Sequence, residues 1–340
     1  MSDYAPRRML VTGGAGFIGS HFARHMLRTD RDVRIVTLDA LTYAGSRENL
    51  RELPDAARHT FVHGNICDRT LVDRVLRDHA IDTIVHFAAE SHVDRSITGP
   101  AAFIQTNVLG TFTLLEAAST AWLQAHRWQD AECRFHHIST DEVYGALGPH
   151  DAPFRETTPY APNSPYSATK AASDHLVRSY HHTYKLPTTT TNCSNNYGPF
   201  QHPEKFIPTV IRTGLAGEPI PVYGNGLNIR DWVYVEDHCA AIDVVIRRGQ
   251  IGATYNIGGG NEWQNLDIAR LICTILAERT QEPAERVARL IHFVTDRPGH
   301  DWRYAIDAAK IRNELGWSPK ETFETGLRKT VAWYLQRGSP

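Results

Sequence analysis

Thr12-Gly13-Gly14-Ala15-Gly16-Phe17-Ile18-Gly19-Ser20 is the stretch on which the fold turns. The apolar run Met9-Leu10-Val11 leads into it, and the helical pattern Phe22, Ala23, Met26, Leu27 follows it. Glycines between a strand and a helix let the backbone turn tightly and approach a pyrophosphate, whose charge then rests on the N–H groups of the helix start. Read from Gly14 the spacing is G-x-G-x-x-G; read from Gly13 it is G-x-x-G-x-x-G. On either reading, motif and context predict a dinucleotide site built on Gly13, Gly16, Phe17, Ile18 and Gly19.

Working outward, the apolar run Val33 to Leu38 reads as a second strand and ends at Asp39, twenty residues beyond Gly19. An acid there can bind the adenosine ribose hydroxyls and would repel a 2′-phosphate, so NAD is expected rather than NADP. A strand from Thr60 to Gly64, a helix from Leu71 to His79 and a strand from Thr83 to Ala89 continue the alternation, which predicts an α/β fold with a doubly wound parallel sheet. Asn65 and Ile66 follow the third strand and could flank the adenine, although Asn65 is equally well a turn residue. Ala88 to Ser91 follow the fourth strand and could line the middle of the cofactor.

Phe135-His136-His137-Ile138-Ser139-Thr140-Asp141-Glu142-Val143-Tyr144-Gly145 reads as an extended run ending in a hydroxyl and two adjacent acids. In an open α/β sheet the carboxyl ends of strands face the ligand crevice, so these acids should meet substrate. Downstream, Ser164 is a good helix N-cap and Pro165 suits the first helical position, which places Tyr166 and Lys170 on one helix face. An ammonium beside a phenol favours phenolate, so Lys170 is expected to lower the Tyr166 pKa and make it a base. Taken alone, a Y-x-x-x-K is ordinary amphipathic helix and Thr-Asp-Glu an ordinary turn; their order behind a dinucleotide fingerprint is what gives them meaning.

At 340 residues the chain can bury a large core and has room for two domains. Its 36 basic and 38 acidic residues leave a formal charge of −2, which suggests neither nucleic acid nor a membrane surface as partner. Cys67, Cys133, Cys193, Cys239 and Cys273 are scattered, with no C-x-x-C and no His at metal-ligand spacing, so no metal is expected and a reduced, cytoplasmic setting is. No apolar stretch approaches the length of a membrane span.

Phe103 to Ala118 and Tyr166 to Tyr184 read as helices with more apolar surface than one sheet face needs, which fits packing against a second subunit. Beyond about Leu186 the chain becomes rich in Asn, Pro and Gly, a texture of binding loops. Residues 1–190 are expected to form the dinucleotide domain, with 233–258 returning to it; 191–232 and 259–340 form a smaller α/β substrate domain. Lys205, Arg230 and Arg297 all fall in loops of the second half and are the cations available for a diphosphate.

Thr12 to Gly19, Asp39 to Gly45, His86 to Ser96, Ser139 to Gly145, Tyr166 to Lys170, Asn192 to Pro199 and Arg297 to Asp301 together closely resemble the dTDP-glucose 4,6-dehydratases, extended short-chain dehydrogenase/reductases, over nearly the whole chain. The adjacent Asp141-Glu142 pair is the specific part, since related epimerases and decarboxylases lack it. The resemblance implies tightly held NAD, a homodimer, and substrate contacts at Ser91, Thr140, Asn195, Lys205, Arg230, Asn265, Arg297 and His300, with the base near Pro221 and Tyr223. It also implies cofactor contacts at Thr42, Phe87, Ala88, Ala89, Ser91, Thr106, Tyr166, Lys170 and Asn196. The family commonly has Asp where this chain has Asn65.

The chemistry implied is removal of water from a nucleotide-diphosphate sugar. Tyr166, assisted by Lys170 and Thr140, takes the proton of the 4-hydroxyl as hydride leaves carbon 4; Glu142 takes the carbon 5 proton; protonated Asp141 releases the 6-hydroxyl as water. Two carboxyls in opposite protonation states are what such an elimination needs. The rivals are a UDP-sugar 4,6-dehydratase, a nucleotide-sugar 4-epimerase or decarboxylase with no use for the acid pair, and an NAD-sensing binding protein with no use for Thr140, Tyr166 and Lys170.

Overall fold

Seven parallel strands form one sheet in the order β3-β2-β1-β4-β5-β6-β7: β1 is Arg8–Thr12, β2 Arg34–Asp39, β3 His59–His63, β4 Thr83–His86, β5 Arg134–Thr140, β6 Thr188–Cys193 and β7 Thr254–Ile257. They belong to a computed structural model that describes residues 3–124, 132–296 and 299–337. The strand order reverses between β1 and β4, and in such sheets the crevice beyond the carboxyl ends at that reversal takes the ligand.

Successive residues of β1 feed opposite faces, as a strand's two-residue period requires. Met9 and Val11 join Phe22 and Met26 of the helix Phe17–Thr29, together with Val235, Ile242 and Val245 of the helix Val235–Arg248. Leu10 faces the other way, into a core with Val72 and Val75 of the helix Arg69–Asp78, Leu114, and Val177 of the helix Pro165–Tyr184.

The expected α/β architecture is present, with differences. The strand read from Thr83 to Ala89 stops at His86, and the chain beyond it opens into the crevice. The helical run around Phe103 extends from Pro100 to Gln124, with wider π-type turns at Ile104–Gly110 and Ser119–Gln124. In the first of these the Asn107 carbonyl accepts the hydroxyls of both Thr111 and Ser173, at 2.6 Å each, and side chains inserted into the ladder disturb its regular spacing.

β6 escaped the sequence reading because four of its six residues are threonines, yet all six are buried. Its hydroxyls satisfy a histidine on the neighbouring strand: His136 Nδ1 lies 2.9 Å from Thr189 Oγ1 and Nε2 lies 3.2 Å from Thr191 Oγ1. The strand carries the sheet three residues past the boundary expected at 190.

A second region holds Asn195–Tyr197 and Glu262–Gln264 on either side of Ile229–Tyr234, and a parallel pair of Ile220–Tyr223 with Ile291–Val294. The helices Phe206–Ala216, Asn265–Thr280 and Phe323–Arg337 cover it around Tyr197, Ile211, Trp232, Ile272 and Leu327. Among the described residues no helix is long and apolar enough to cross a membrane.

Candidate active site

Between the switch point and the second region lies a cavity of about 560 Å³. It brings together every expected site residue except Arg297, which lies outside the described residues. The ends of β1, β2, β4 and β5, the start of the helix Pro165–Tyr184, and the loops around Asn195, Lys205, Tyr223, Arg230 and His300 all reach it.

The glycine loop is a cradle that side chains would fill. Gly13 has φ +69°, and a Cβ there would lie 2.7 Å from the Ala88 nitrogen; one on Gly19 would lie 2.4 Å from the Gly13 carbonyl oxygen. Asp39 accepts the Ala15 N–H at 2.9 Å and the Leu41 N–H at 2.8 Å, which fixes its carboxylate at the end of β2. Burial pushes its pKa up while these two amides pull it back, and each oxygen keeps lone-pair capacity for a ribose hydroxyl. The arrangement fits an NAD-type dinucleotide. Asn65 lines the same cavity, but its side-chain oxygen is taken by the Cys67 N–H at 2.9 Å, so it is also the turn residue of the competing reading.

At the end of β5 the chain tightens into a single turn, Asp141–Tyr144, capped by Thr140, whose hydroxyl accepts the Glu142 N–H at 3.3 Å and lies 3.4 Å from Asp141 Oδ1. Asp141 is 1% exposed, and its Oδ2 has no hydrogen-bond partner in the protein. Burial raises its pKa well above the carboxylate range, and the charges of Glu142 and Asp231 add to this against the opposing pull of Arg230. The neutral form of Asp141 is therefore the favoured one, while Glu142 next to it is only half-buried.

The capping box at Ser164 and Ser167 starts the next helix, with N–H to hydroxyl distances of 3.0 and 3.1 Å, and Pro165 occupies its first turn. Tyr166 and Lys170 are both buried on its cavity side. The expected lowering of the phenol pKa is reversed in the protein chain itself: burial raises it well above 10, Glu142's charge raises it further, and the Thr140 hydroxyl only partly offsets them. Lys170 directs its ammonium at the Ile138 carbonyl at 2.7 Å, and burial lowers its own pKa.

Arg230 is 4% exposed and clamped rather than free: it donates to the carbonyls of Ile229 at 2.7 Å, Asp301 at 2.9 Å and Trp302 at 3.3 Å, and lies 4.3 Å over the Tyr304 ring. Lys205 Nζ donates to the Ser91 carbonyl at 3.1 Å. His300 Nδ1 pairs with Asp296 at 2.6 Å, and its ring stands edge-on to Tyr223. The sequence reading gave no role to Tyr43, Cys193 and Tyr304, which also line the cavity; Glu90 lies there too, within the stretch Ala88 to Ser91 expected beside the cofactor. Tyr43 hydroxyl meets Ser91 Oγ at 3.3 Å, and Tyr304 hydroxyl donates to Asp301. No spacing marks these residues; tertiary packing brings them in.

A doubly wound sheet, a glycine cradle with a carboxylate at the end of β2, and a Tyr-x-x-x-Lys facing a strand-end hydroxyl define a short-chain dehydrogenase/reductase of the extended, nucleotide-sugar type. Residues 10–330 match the family model described as GDP-mannose 4,6 dehydratase. The chain is 58% identical to the dTDP-glucose 4,6-dehydratase of Neisseria meningitidis serogroup B over 332 residues, 97% of this chain and 93% of that one. The solved dTDP-glucose 4,6-dehydratase DesIV of Streptomyces venezuelae, with NAD bound, superimposes at a TM-score of 0.87 and 46% identity, covering 97% of both chains. The UDP-glucose 4-epimerase of Thermotoga maritima shares the fold at a TM-score of 0.84 and 28% identity, covering 97% of this chain and 99% of that one. The chain belongs to the dTDP-glucose 4,6-dehydratase family.

Proposed function

We propose that this chain is an NAD-dependent lyase converting dTDP-glucose to dTDP-4-keto-6-deoxyglucose, with Thr140, Asp141, Glu142, Tyr166 and Lys170 as its catalytic residues. The observation that carries this reading is the contrast within the acid pair: Asp141 is buried with an unpartnered oxygen and a raised pKa, while Glu142 is half-buried beside it. An epimerase fold alone has no need of such a pair.

NAD, when bound, would supply the hydride acceptor for carbon 4 and the hydride donor for carbon 6. The chain's own residues do the rest. The Gly13–Gly19 cradle and Asp39 hold the dinucleotide, and Thr140 and Tyr166 receive the sugar's 4-hydroxyl, whose proton passes to Tyr166. Because burial and Glu142 oppose the phenolate, Tyr166 needs cationic help; Lys170, one turn along the same helix, and a positively charged nicotinamide ring would supply it. With carbon 4 oxidised the carbon 5 proton becomes acidic, Glu142 removes it, and the Asp141 proton goes to the departing 6-hydroxyl, which leaves as water; carbon 5 then takes up a proton again as carbon 6 receives the hydride. Lys205, Arg230, His300 and Arg297 are the cationic or polar side chains proposed for the diphosphate, with Ser91, Asn195, Asn265, Pro221 and Tyr223 completing the sugar and base contacts.

Three wider assignments follow the same reading. The dinucleotide domain comprises 1–193, the expected 1–190 extended through β6, and 233–258; the substrate domain comprises 194–232 and 259–340. A homodimer is supported by the exposed Ile97, Ile104, Leu109 and Phe112 along the helices preceding β5. A cytoplasmic setting is supported by five cysteines outside any disulfide.

Incubation of purified protein with dTDP-glucose and, in parallel, UDP-glucose tests the function, with no cofactor added. Formation of a 4-keto-6-deoxy sugar from dTDP-glucose without net NADH is expected. A 4-epimer as product, or a requirement for stoichiometric NAD, overturns the reading; faster turnover of UDP-glucose overturns the nucleotide assignment.

A further inference from the structure

One turn along the helix from Lys170, outside the lining of the cavity, lies a buried carboxylate that the chemistry above does not use. Asp174 is one helical turn beyond Lys170, as Lys170 is one turn beyond Tyr166, so the three share a helix face. Asp174 is 6% exposed and does not line the cavity. Its oxygens accept from Ser139 Oγ at 2.8 Å, Tyr160 hydroxyl at 2.9 Å and His137 Nε2 at 3.0 Å. Asn192 Nδ2 in turn donates to the Tyr160 hydroxyl at 3.2 Å.

We propose that Asp174 is a positioning residue for the reaction: held by three neutral donors, it supplies the counter-charge that keeps the buried Lys170 ammonium protonated and directed at the Ile138 carbonyl. His137 is neutral, because burial and the Lys170 charge both oppose its protonation; its Nε2 therefore carries the hydrogen and its buried Nδ1 is left without a partner. A carboxylate satisfied only by neutral groups keeps its full charge for Lys170. Burial raises the Asp174 pKa to about 6, with Lys170 the largest influence pulling it back, so the group is ionised at neutral pH. Reciprocally, burial lowers the Lys170 pKa and Asp174 is the leading group that raises it. The other titratable groups facing this pair among the described residues are His175 on the same helix, Tyr144 from the turn after β5, Cys193 from β6, and His86 from β4, whose ring lies tilted against that of His137.

The inference rests on the catalytic reading of Tyr166 and Lys170, and its test separates the two. Single-turnover reduction of bound NAD is followed against pH in Asp174→Asn, which keeps the side chain's size and removes its charge. The alkaline limb should fall at a pH about one unit or more lower than in wild type, since an opposite charge at close range shifts a pKa by roughly 1–3 units. The Lys170 Nζ resonance in ¹⁵N-lysine-labelled protein, identified by its loss in Lys170→Arg, should titrate lower by the same amount, and Asp174→Glu should restore part of the shift. A uniform slowing with an unmoved limb and resonance makes Asp174 merely structural and overturns the proposal. If Asp174→Asn does not fold, Tyr160→Phe removes one donor and leaves the charge; the acidic limb should then move to higher pH, and an unmoved limb overturns the proposal. Lys170→Met reducing NAD at the wild-type rate would instead remove the catalytic reading itself.

Discussion

Asp141 and Glu142 share a peptide bond but not an environment: Asp141 is 1% exposed with a buried, unpartnered Oδ2, while Glu142 is half-buried on the cavity wall. Burial lifts the Asp141 pKa well above that of an ordinary aspartate. A group whose folded pKa is raised contributes stability that is present below about pH 4 and lost as pH rises through the folded value. Asp141→Asn removes that dependence, so the variant should melt higher than wild type, with the gain larger near about pH 8 than near about pH 5. Equal gains at both pH values would mean that Asp141 does not hold its proton across this range.

Gly19→Ala should be far more damaging than its size suggests. The new methyl would meet the Gly13 carbonyl oxygen at 2.4 Å and Gly14 Cα at 2.8 Å, and both are backbone atoms of the loop that would hold the pyrophosphate. Relief requires the cradle to open, at a cost of about 1–3 kcal/mol. Cofactor occupancy after purification should drop at least about tenfold, the equivalent of about 1.4 kcal/mol. Gly16→Ala meets the Gly13 oxygen only at 3.2 Å and should lose less. Calorimetric titration with NAD orders the two variants, and a reversed order would place the dinucleotide elsewhere.

Arg230→Ala should raise KM and also lower the melting temperature. The guanidinium ties the carbonyls of residues 229, 301 and 302 together, so truncation loosens the loop that carries His300 as well as removing the proposed charge-assisted contact to the diphosphate. A loss of stability of about 1–3 kcal/mol is expected, as buried acceptors lose their donor. Wild-type KM together with a lowered melting temperature would leave Arg230 a purely structural clamp.

Most of the site was legible because local rules dictate it. The strand-glycine-helix order fixes the cradle, Asp39 ends a strand, and Ser164-Pro165 start the helix that presents Tyr166 and Lys170; each follows from a few consecutive residues. What escaped depends on distant partners. β6 carries no apolar alternation, since its threonines answer a histidine on β5, and Tyr304 reaches the cavity only because Arg230 and Asp301 hold it. The direction of the Tyr166 shift was misread for the same reason: spacing shows that Lys170 is near, but not that burial outweighs it or that Glu142 lies opposite.

The acid pair should separate the chemical steps. On the proposed mechanism oxidation at carbon 4 draws on Thr140, Tyr166 and Lys170, whereas elimination draws on Asp141 and Glu142, so Glu142→Gln should still reduce bound NAD and then stall before water is lost. An absorbance of NADH that rises and persists is the expected signal. In Asp141→Asn the buried position keeps a neutral side chain but loses the proton it would give to the 6-hydroxyl. Glu142 remains to exchange the carbon 5 proton, so bound sugar should gain solvent deuterium there faster than product forms. Tyr166→Phe removes the group that takes the first proton and should give neither signal, with activity down by about 10²–10⁴-fold, the usual worth of a positioned acid or base. Near-normal product formation by Glu142→Gln would put the elimination base elsewhere. Loss of NADH formation in that variant as complete as in Tyr166→Phe would show that Glu142 acts already in the oxidation, where its charge faces the Tyr166 phenol.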